Sequence, residues 1–240
     1  MPPTRRAHPA RACCSWTVPI SGAADAARWR PASIPLILVI DLGCGSGRWA
    51  RELNRAGYRV LGVDRSAALL SLARRIAPQS RFLAGSLWQV PLPACQAVTS
   101  IGECLNYVSG HPASRHHPAE LFARIFAALR PGGVFLFDVA EPSRIPQGGI
   151  RTHFTEGRGW AILMEAEGDP QSNTLTRRIV CFRKIGNRYR RSREVHRLHL
   201  YRAADLLDAL AGAGFQAEPL SGYGRFPFPE GIAGFLARKP

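Results

Sequence analysis

From residue 36 onward, apolar and polar positions fall into alternating blocks. Residues 36–41, "LILVID", are apolar without a break until the closing acid, the pattern of a strand buried on both faces. Residues 46–57 then set Trp49, Leu53 and Ala56 on one helical face, with Gly57 suited to end the helix. Residues 58–64 read as a second strand. Ser66 caps a helix through residue 77, with Leu69, Leu70, Leu72, Ala73 and Ile76 facing inward and Pro78 as its stop. Residues 81–84 and 97–102 are short strands. Residues 118–130 form a helix with proline in its first turn, closed by "RPGG", and residues 134–139 are a fifth strand.

After residue 139 the pattern changes. Residues 160–167, 175–185 and 189–201 have strand composition and are separated by the turn sequences "GDPQSN" and "GN". They predict an antiparallel β meander inserted at 150–201. Alternation then resumes with a helix at 203–213, ended by Gly214, and strands at 215–222 and 234–238. Strands separated by helices imply right-handed crossovers and a mostly parallel sheet. Residues 1–33, rich in proline and arginine with one acid, show no sustained period and read as a poorly ordered basic tail before a domain at 34–240.

With 46% hydrophobic and 20% charged residues, the 240-residue chain can build an ordinary core. No apolar run approaches the roughly 20 residues of a membrane span. Six cysteines without CxxC spacing read as reduced thiols of a cytoplasmic protein. His111, His116 and His117 lie close together without an accompanying ligand pattern, so they are read as a loop and no metal is expected. The net charge of +15 is carried almost wholly by arginine, since only Lys184 and Lys239 are lysines. More than half of that excess sits at residues 174–202, with ten basic residues against the single acid Glu194. Such a strip suits a nucleic-acid backbone, an acidic small molecule or plain solvent exposure.

The chemistry is concentrated at "VIDLGCGSGRWA", residues 39–50. A strand, a glycine turn and a helix make a ligand site at the carboxyl edge of a parallel sheet, with side chains removed so that backbone N–H groups approach the ligand. A P-loop needs Gly-Lys-Ser/Thr, and Arg48 follows Gly47 instead. A dinucleotide fingerprint fits Gly43 and Gly45, but Arg48 stands where its third glycine belongs. Asp41, just before the turn, repels phosphate and suits a cation. Asp64, at the end of the second strand, is placed to accept ribose hydroxyls. The implied ligand has a ribose, positive charge and no phosphate. Either acid could instead serve as a cap, although Ser66 already fills that role for the second helix.

"DLGCGSG" followed by "RVLGVDRS" resembles the class I S-adenosylmethionine-dependent methyltransferases, over residues 36–139 and 202–238. The resemblance implies an α/β, Rossmann-like doubly wound sheet, mostly parallel with an antiparallel last strand, and S-adenosyl-L-methionine as cofactor. It places Gly43, Cys44, Gly45 and Gly47 at the methionine moiety, Asp41 at the turn or amino group, and Asp64 with Arg65 at the ribose. Ser86 and Leu87 stand where the family often has an acid for adenine. "SIGECLNYV" resembles the family's segment where methyl meets acceptor, so Gly102, Glu103, Asn106 and Tyr107 are placed there.

Methyl transfer from a sulfonium needs position and a dry site, and a base only where the acceptor must lose a proton. Glu103 is the first candidate base and His196 the second, with Glu194 on the same strand face facing either acceptor or solvent. "IGECLNY" lacks the prolines of DNA amino-methyltransferase motifs, which directs the reading to a small-molecule acceptor, possibly acidic. The inserted meander resembles those of small-molecule N- and O-methyltransferases, and by that analogy it would roof an acceptor pocket or build a dimer, leaving monomer and homodimer open. An RNA methyltransferase, or a cofactor binder without catalysis, are the other classes.

Overall fold

The computed structural model describes residues 37–108 and 117–240. The tail at 1–33 and two of the three clustered histidines, His111 and His116, lie outside them; His117 occupies the N-cap position of a helix.

β1 (Leu38–Leu42) is an interior strand of a seven-stranded sheet, parallel to β2 (Arg59–Asp64) on one side and β4 (Cys95–Ser100) on the other. Its side chains are buried on both faces, Ile40 and Leu42 in one core cluster and Val39 in another, which explains the unbroken apolar run. β3 (Arg81–Ala84) extends the sheet beyond β2, and β5 (Leu129–Ala140) lies beside β4. β13 (Ile232–Arg238) is antiparallel to both β5 and β10 (Gln216–Leu220), giving the order β10-β13-β5-β4-β1-β2-β3. The architecture is therefore the expected α/β Rossmann-like one, with an antiparallel last strand.

The connecting helices are α1 (Arg48–Arg55), α2 (Ala67–Ile76), α3 (Pro118–Ala128) and α4 (Ala203–Gly212). Ser66 caps α2 as expected, its hydroxyl accepting the Leu69 N–H at 3.2 Å. α3 stops at Ala128 rather than at 130, because Pro131 disfavours helical backbone at Arg130; residues 129–133 begin β5 instead. The core lies where α3 and α4 cover β5 and β13. Phe122, Phe135, Phe137 and Phe235 are all fully buried there, with the Phe135 and Phe137 rings stacked at 4.4 Å. Each such side chain contributes about 2–3 kcal/mol of burial.

The insertion forms its own antiparallel sheet, β6 (Arg151–Gly157), β7 (Trp160–Asp169), β8 (Thr174–Ile185) and β9 (Arg188–His199). β6 is a strand the pattern did not predict. Its residues are mostly polar and exposed, and the β7 ladder rather than burial holds it. A two-stranded hairpin, β11 (Gly222–Tyr223) and β12 (Phe226–Pro227), was likewise not anticipated in the residues following 222. The base of the inserted sheet is anchored to the main one. Leu175, Leu198 and Leu200 pack with Ala140 and Ala166, and Tyr201 N–H donates to the Ala140 carbonyl at 3.2 Å.

Candidate functional site

The sheet changes winding direction between β1 and β4, and the crevice at their carboxyl ends is where such folds bind ligands. Two loops edge it, residues 43–47 after β1 and 101–107 after β4.

The three turn glycines do different work. A side chain on Gly43 would lie 2.4 Å from the Cys104 sulfur, and one on Gly47 would lie 2.9 Å from the Ala73 methyl of α2. These two let one loop pack on the other and α1 start against α2. Gly45 (φ +52°) meets only the Gly43 carbonyl, at 4.0 Å, and Gly102 (φ +93°) has nothing within 4 Å. The open backbone is therefore at 45 and 102. The expectation that turn N–H groups face the ligand is corrected. Those of Gly43 and Cys44 donate to the Val63 carbonyl, Gly47 to the Cys44 carbonyl, and Gly45 to Asp64 Oδ2 at 2.8 Å. Donors spent internally cannot cradle a pyrophosphate.

Asp41 is 2% exposed. Its Oδ1 accepts the Thr99 hydroxyl at 2.9 Å, from the register neighbour on β4, while its Oδ2 has no hydrogen-bond partner. Burial pushes its carboxyl up to about 7, against the Thr99 hydrogen bond and helped by the nearby Asp64 charge. Asp64 is half-buried and binds the turn to β2, taking Gly45 N–H on Oδ2 and Ser66 N–H on Oδ1, both at 2.8 Å. Each oxygen keeps a second lone pair. Arg65 is exposed beside it, and Cys44 is buried, its thiol pushed up by desolvation. Gly85 N–H donates to the Asp64 carbonyl, which brings Ser86 and Leu87 alongside. The Ser86 hydroxyl accepts Trp88 N–H at 3.3 Å, and Leu87 packs on the core.

At the end of β4 the organising group is Asp138 on β5, which sequence reasoning missed. It is 4% exposed. It accepts Gly102 N–H at 2.9 Å, Glu103 N–H at 2.6 Å and the Tyr223 hydroxyl at 2.7 Å. Burial raises its carboxyl, opposed by those hydrogen bonds. A lone acid inside the apolar run "VFLFDVA" was the available signal. These bonds hold Glu103 in left-handed backbone (φ +60°), a conformation costly for a residue with a side chain.

The Glu103 carboxylate is paired with both arms of Arg177, at 2.6 and 3.2 Å, with Arg144 Nε at 4.0 Å. Arg177, also missed, is 4% exposed. Burial works against its charge, but the Glu103 and Tyr107 contacts outweigh it and hold its pKa above the ordinary value. A carboxylate so engaged is poorly placed to take a proton from an acceptor. Asn106, expected beside the acceptor, is a buried staple instead. Its Nδ2 donates to the Ala140 and His199 carbonyls and its Oδ1 accepts Ala140 N–H, all within 2.9 Å. Tyr107 bridges to Leu198 on β9, and its ring meets the His196 ring edge-on at 5.4 Å.

His196 stands opposite Arg177 in the β8–β9 register, and Glu194 opposite Ile179. Both therefore share the inward face with buried Arg177, while Val195 between them is 56% exposed. His196 Nε2 lies 3.2 Å from Glu194 Oε2. The structure thus assembles Glu103, Tyr107, Glu194 and His196 around Arg177, and Asp41, Gly45 and Asp64 around the glycine turn. Among the described residues, no three His, Cys, Asp or Glu side chains are grouped as metal ligands.

Residues 39–133 match the family model described as "Methyltransferase domain". A malonyl-[acyl-carrier protein] O-methyltransferase of Serratia marcescens is 32% identical over 100 residues, 41% of this chain and 36% of that protein. A trans-aconitate 2-methyltransferase of Paracidovorax citrulli is 33% identical over 112 residues, 45% of this chain and 40% of the relative. The chain thus spans well under half the length of these two curated relatives. The S-adenosylmethionine-bound structure of CalS10, an amino pentose methyltransferase from Micromonospora echinaspora, superposes with a TM-score of 0.68. That likeness covers 91% of this chain and 90% of CalS10 at 24% identity, and it is a likeness of fold.

Proposed function

We propose that this chain, which carries a class I S-adenosylmethionine-dependent methyltransferase domain, transfers a methyl group from that cofactor to a small-molecule acceptor held under the inserted sheet. The observation that carries the reading is Asp41, a buried carboxylate with one unpartnered oxygen, set with Asp64 beside the open backbone of Gly45. A buried anionic oxygen calls for a cationic partner, and the inward-turned N–H groups favour a nucleoside without phosphate.

In this reading Asp41 faces the amino group of the cofactor, and Gly45 and Gly102 allow it to lie against bare backbone. Gly43, Cys44 and Gly47 shape that turn. The free lone pairs of Asp64 accept the ribose hydroxyls, with Arg65 at the rim, and the Ser86 hydroxyl and Leu87 backbone border the adenine. When bound, the cofactor supplies a sulfonium-activated methyl group open to in-line displacement. The protein's remaining task is to orient the acceptor and exclude water. Tyr107 and the inward face of β9 border the acceptor. Donation from His196 Nε2 to Glu194 leaves Nδ1 as a proton acceptor, so His196 is the better-placed base. Glu103 fixes Arg177, and with it β8, above the crevice.

The relatives named above divide between acidic acceptors, one of them a malonyl group borne on a carrier protein, and an amino sugar, and a small acceptor group is what they have in common. No helix among the described residues is long and apolar enough to cross a membrane. The free thiols Cys44, Cys95 and Cys104 support a cytoplasmic setting. The test is calorimetric titration with S-adenosylmethionine, followed by cofactor turnover against a panel of small acids, amines and phenols. Binding and turnover are expected, and a chain that binds NAD but not S-adenosylmethionine refutes the assignment.

A nucleic-acid acceptor is the second reading, favoured by the β8–β9 hairpin. Arg183 stands opposite Arg190 there, with Arg188, Arg191 and Arg193 also exposed and Tyr189 59% exposed. RNA binding that weakens steeply with salt, accompanied by methyl incorporation into RNA, would shift the assignment to it.

A further inference from the structure

Arg144 has a fixed origin. It closes a short turn, Pro142–Arg144, directly after β5, where its N–H donates to the Glu141 carbonyl at 2.9 Å. Gly231 presses on it so closely that a side chain there would come within 2.9 Å of the Arg144 nitrogen, and Glu141 N–H donates back to the Gly231 carbonyl. One guanidinium nitrogen, Nη1, donates to the Glu230 carbonyl at 3.0 Å. The side chain is only 22% exposed.

Two carboxylates lie near enough to act on its charge, Glu103 and Glu230. The carboxylate nearest to it, Glu103, lies 4.0 Å from Nε and is already held by Arg177 at 2.6 Å. Asp138, on β5, is occupied by three donors, and Glu141, just before the turn, accepts Ala203 N–H at 3.1 Å. Two guanidiniums thus face the Glu103 carboxylate, which Arg177 already holds, and among the described residues Arg144 Nη2 has no hydrogen-bond partner. Burial and the neighbouring Arg177 and Arg151 charges depress the Arg144 pKa, with Glu103 and Glu230 opposing them. The guanidinium nevertheless stays charged, because arginine does not deprotonate in proteins.

We infer that Arg144 anchors a carboxylate of the methyl acceptor, so that the substrate is an organic acid. The inference rests on the methyltransferase reading of this site. The free edge of the guanidinium offers the paired donors that a carboxylate accepts side by side. Glu103, 4.0 Å from Arg144 Nε, directly follows Gly102, whose backbone is open. An acceptor bearing an ammonium group would instead meet two like charges.

The test compares the full chain and its R144Q and R144K variants with S-adenosylmethionine as methyl donor. Succinate, glutarate and citrate serve as acceptors, against succinamide, glutaramide, small amines and phenols. Turnover is expected with acids and not with the matching amides. R144Q should raise KM for the acid roughly 10- to 100-fold, the loss of one charge-assisted contact, with little change in kcat. R144K should recover part of that loss, and cofactor affinity by calorimetry should be the same in all three proteins. Equal use of acids and amides, turnover of amines or phenols alone, or an unchanged KM in R144Q would overturn the anchor while leaving methyl transfer standing. Cofactor binding without turnover of any acceptor would overturn both readings.

Discussion

Glu103 and Arg177, 74 positions apart in the chain, close a two-pronged ion pair that ties the loop after β4 to the third strand of the inserted sheet. Arg177 is almost fully buried, so removing one partner strands the other charge away from water. Either E103Q or R177M alone should cost about 3–5 kcal/mol, and the double variant less than their sum. Urea midpoints of the three proteins check this. Additive losses would show that the pair carries no coupling.

Asp41 sets a pH dependence. Its folded-state pKa, about 7, lies above the ordinary 3.8, so the folded protein holds a proton that the unfolded chain releases. Stability from this group is full below about pH 4 and is lost as pH rises to about 7, by roughly 4 kcal/mol at one pKa unit per 1.36 kcal/mol. Asp138, also raised, acts in the same direction. The cofactor-free protein should therefore melt higher at pH 5 than at pH 8, and D41N should flatten much of that slope. A slope unchanged in D41N would show that the carboxyl is already ionised.

The same carboxyl should lose its proton when a cation arrives. Calorimetric titration with S-adenosylmethionine at pH 6.5, repeated in buffers of different ionisation enthalpy, should report net proton release, and D41N should abolish it. Binding without proton exchange would remove Asp41 from the cofactor's contacts.

Gly43 and Gly45 should fail in different ways. G43A drives a methyl group into Cys104 and should destabilise the protein by about 2–3 kcal/mol, whereas G45A adds only left-handed strain of about 1 kcal/mol. G45A should nevertheless weaken S-adenosylmethionine binding at least about tenfold, because its methyl group stands in the open crevice. Melting curves and calorimetry on both variants separate the two effects.

Asn106 should behave as structure rather than chemistry. N106A leaves the Ala140 N–H and carbonyl without their side-chain partners and should cost about 2–4 kcal/mol, since unsatisfied buried groups lose more than the bond itself. Hydrogen exchange should show early opening of the base of β9. Full stability with lost turnover would return Asn106 to the acceptor site.

The parallel strands were legible because burial on both faces writes itself as uninterrupted apolar runs such as 36–40, and the turn glycines because bare backbone has few other uses. β6 was not, because an exposed edge strand is held by the ladder to β7 and leaves little apolar pattern. The glycine turn and the shared strand face of Glu194 and His196 could be located from spacing, but not that this face turns inward. Asp138, Arg144 and Arg177 could not be paired, because their partners lie at least 35 residues away and meet only through the sheet. Spacing also could not divide packing glycines from open ones, which depends on whether Cys104 or Ala73 stands opposite.

The insertion leaves the main sheet at Ala140 and comes back at Tyr201, and those two residues are hydrogen-bonded to each other. Sixty residues of chain thus leave and rejoin at one place without interrupting the strand order beneath. A lineage can lengthen, shorten or exchange that cassette while the nucleoside crevice keeps its shape, so selectivity for new acceptors can evolve on one side of the joint and cofactor chemistry stay fixed on the other.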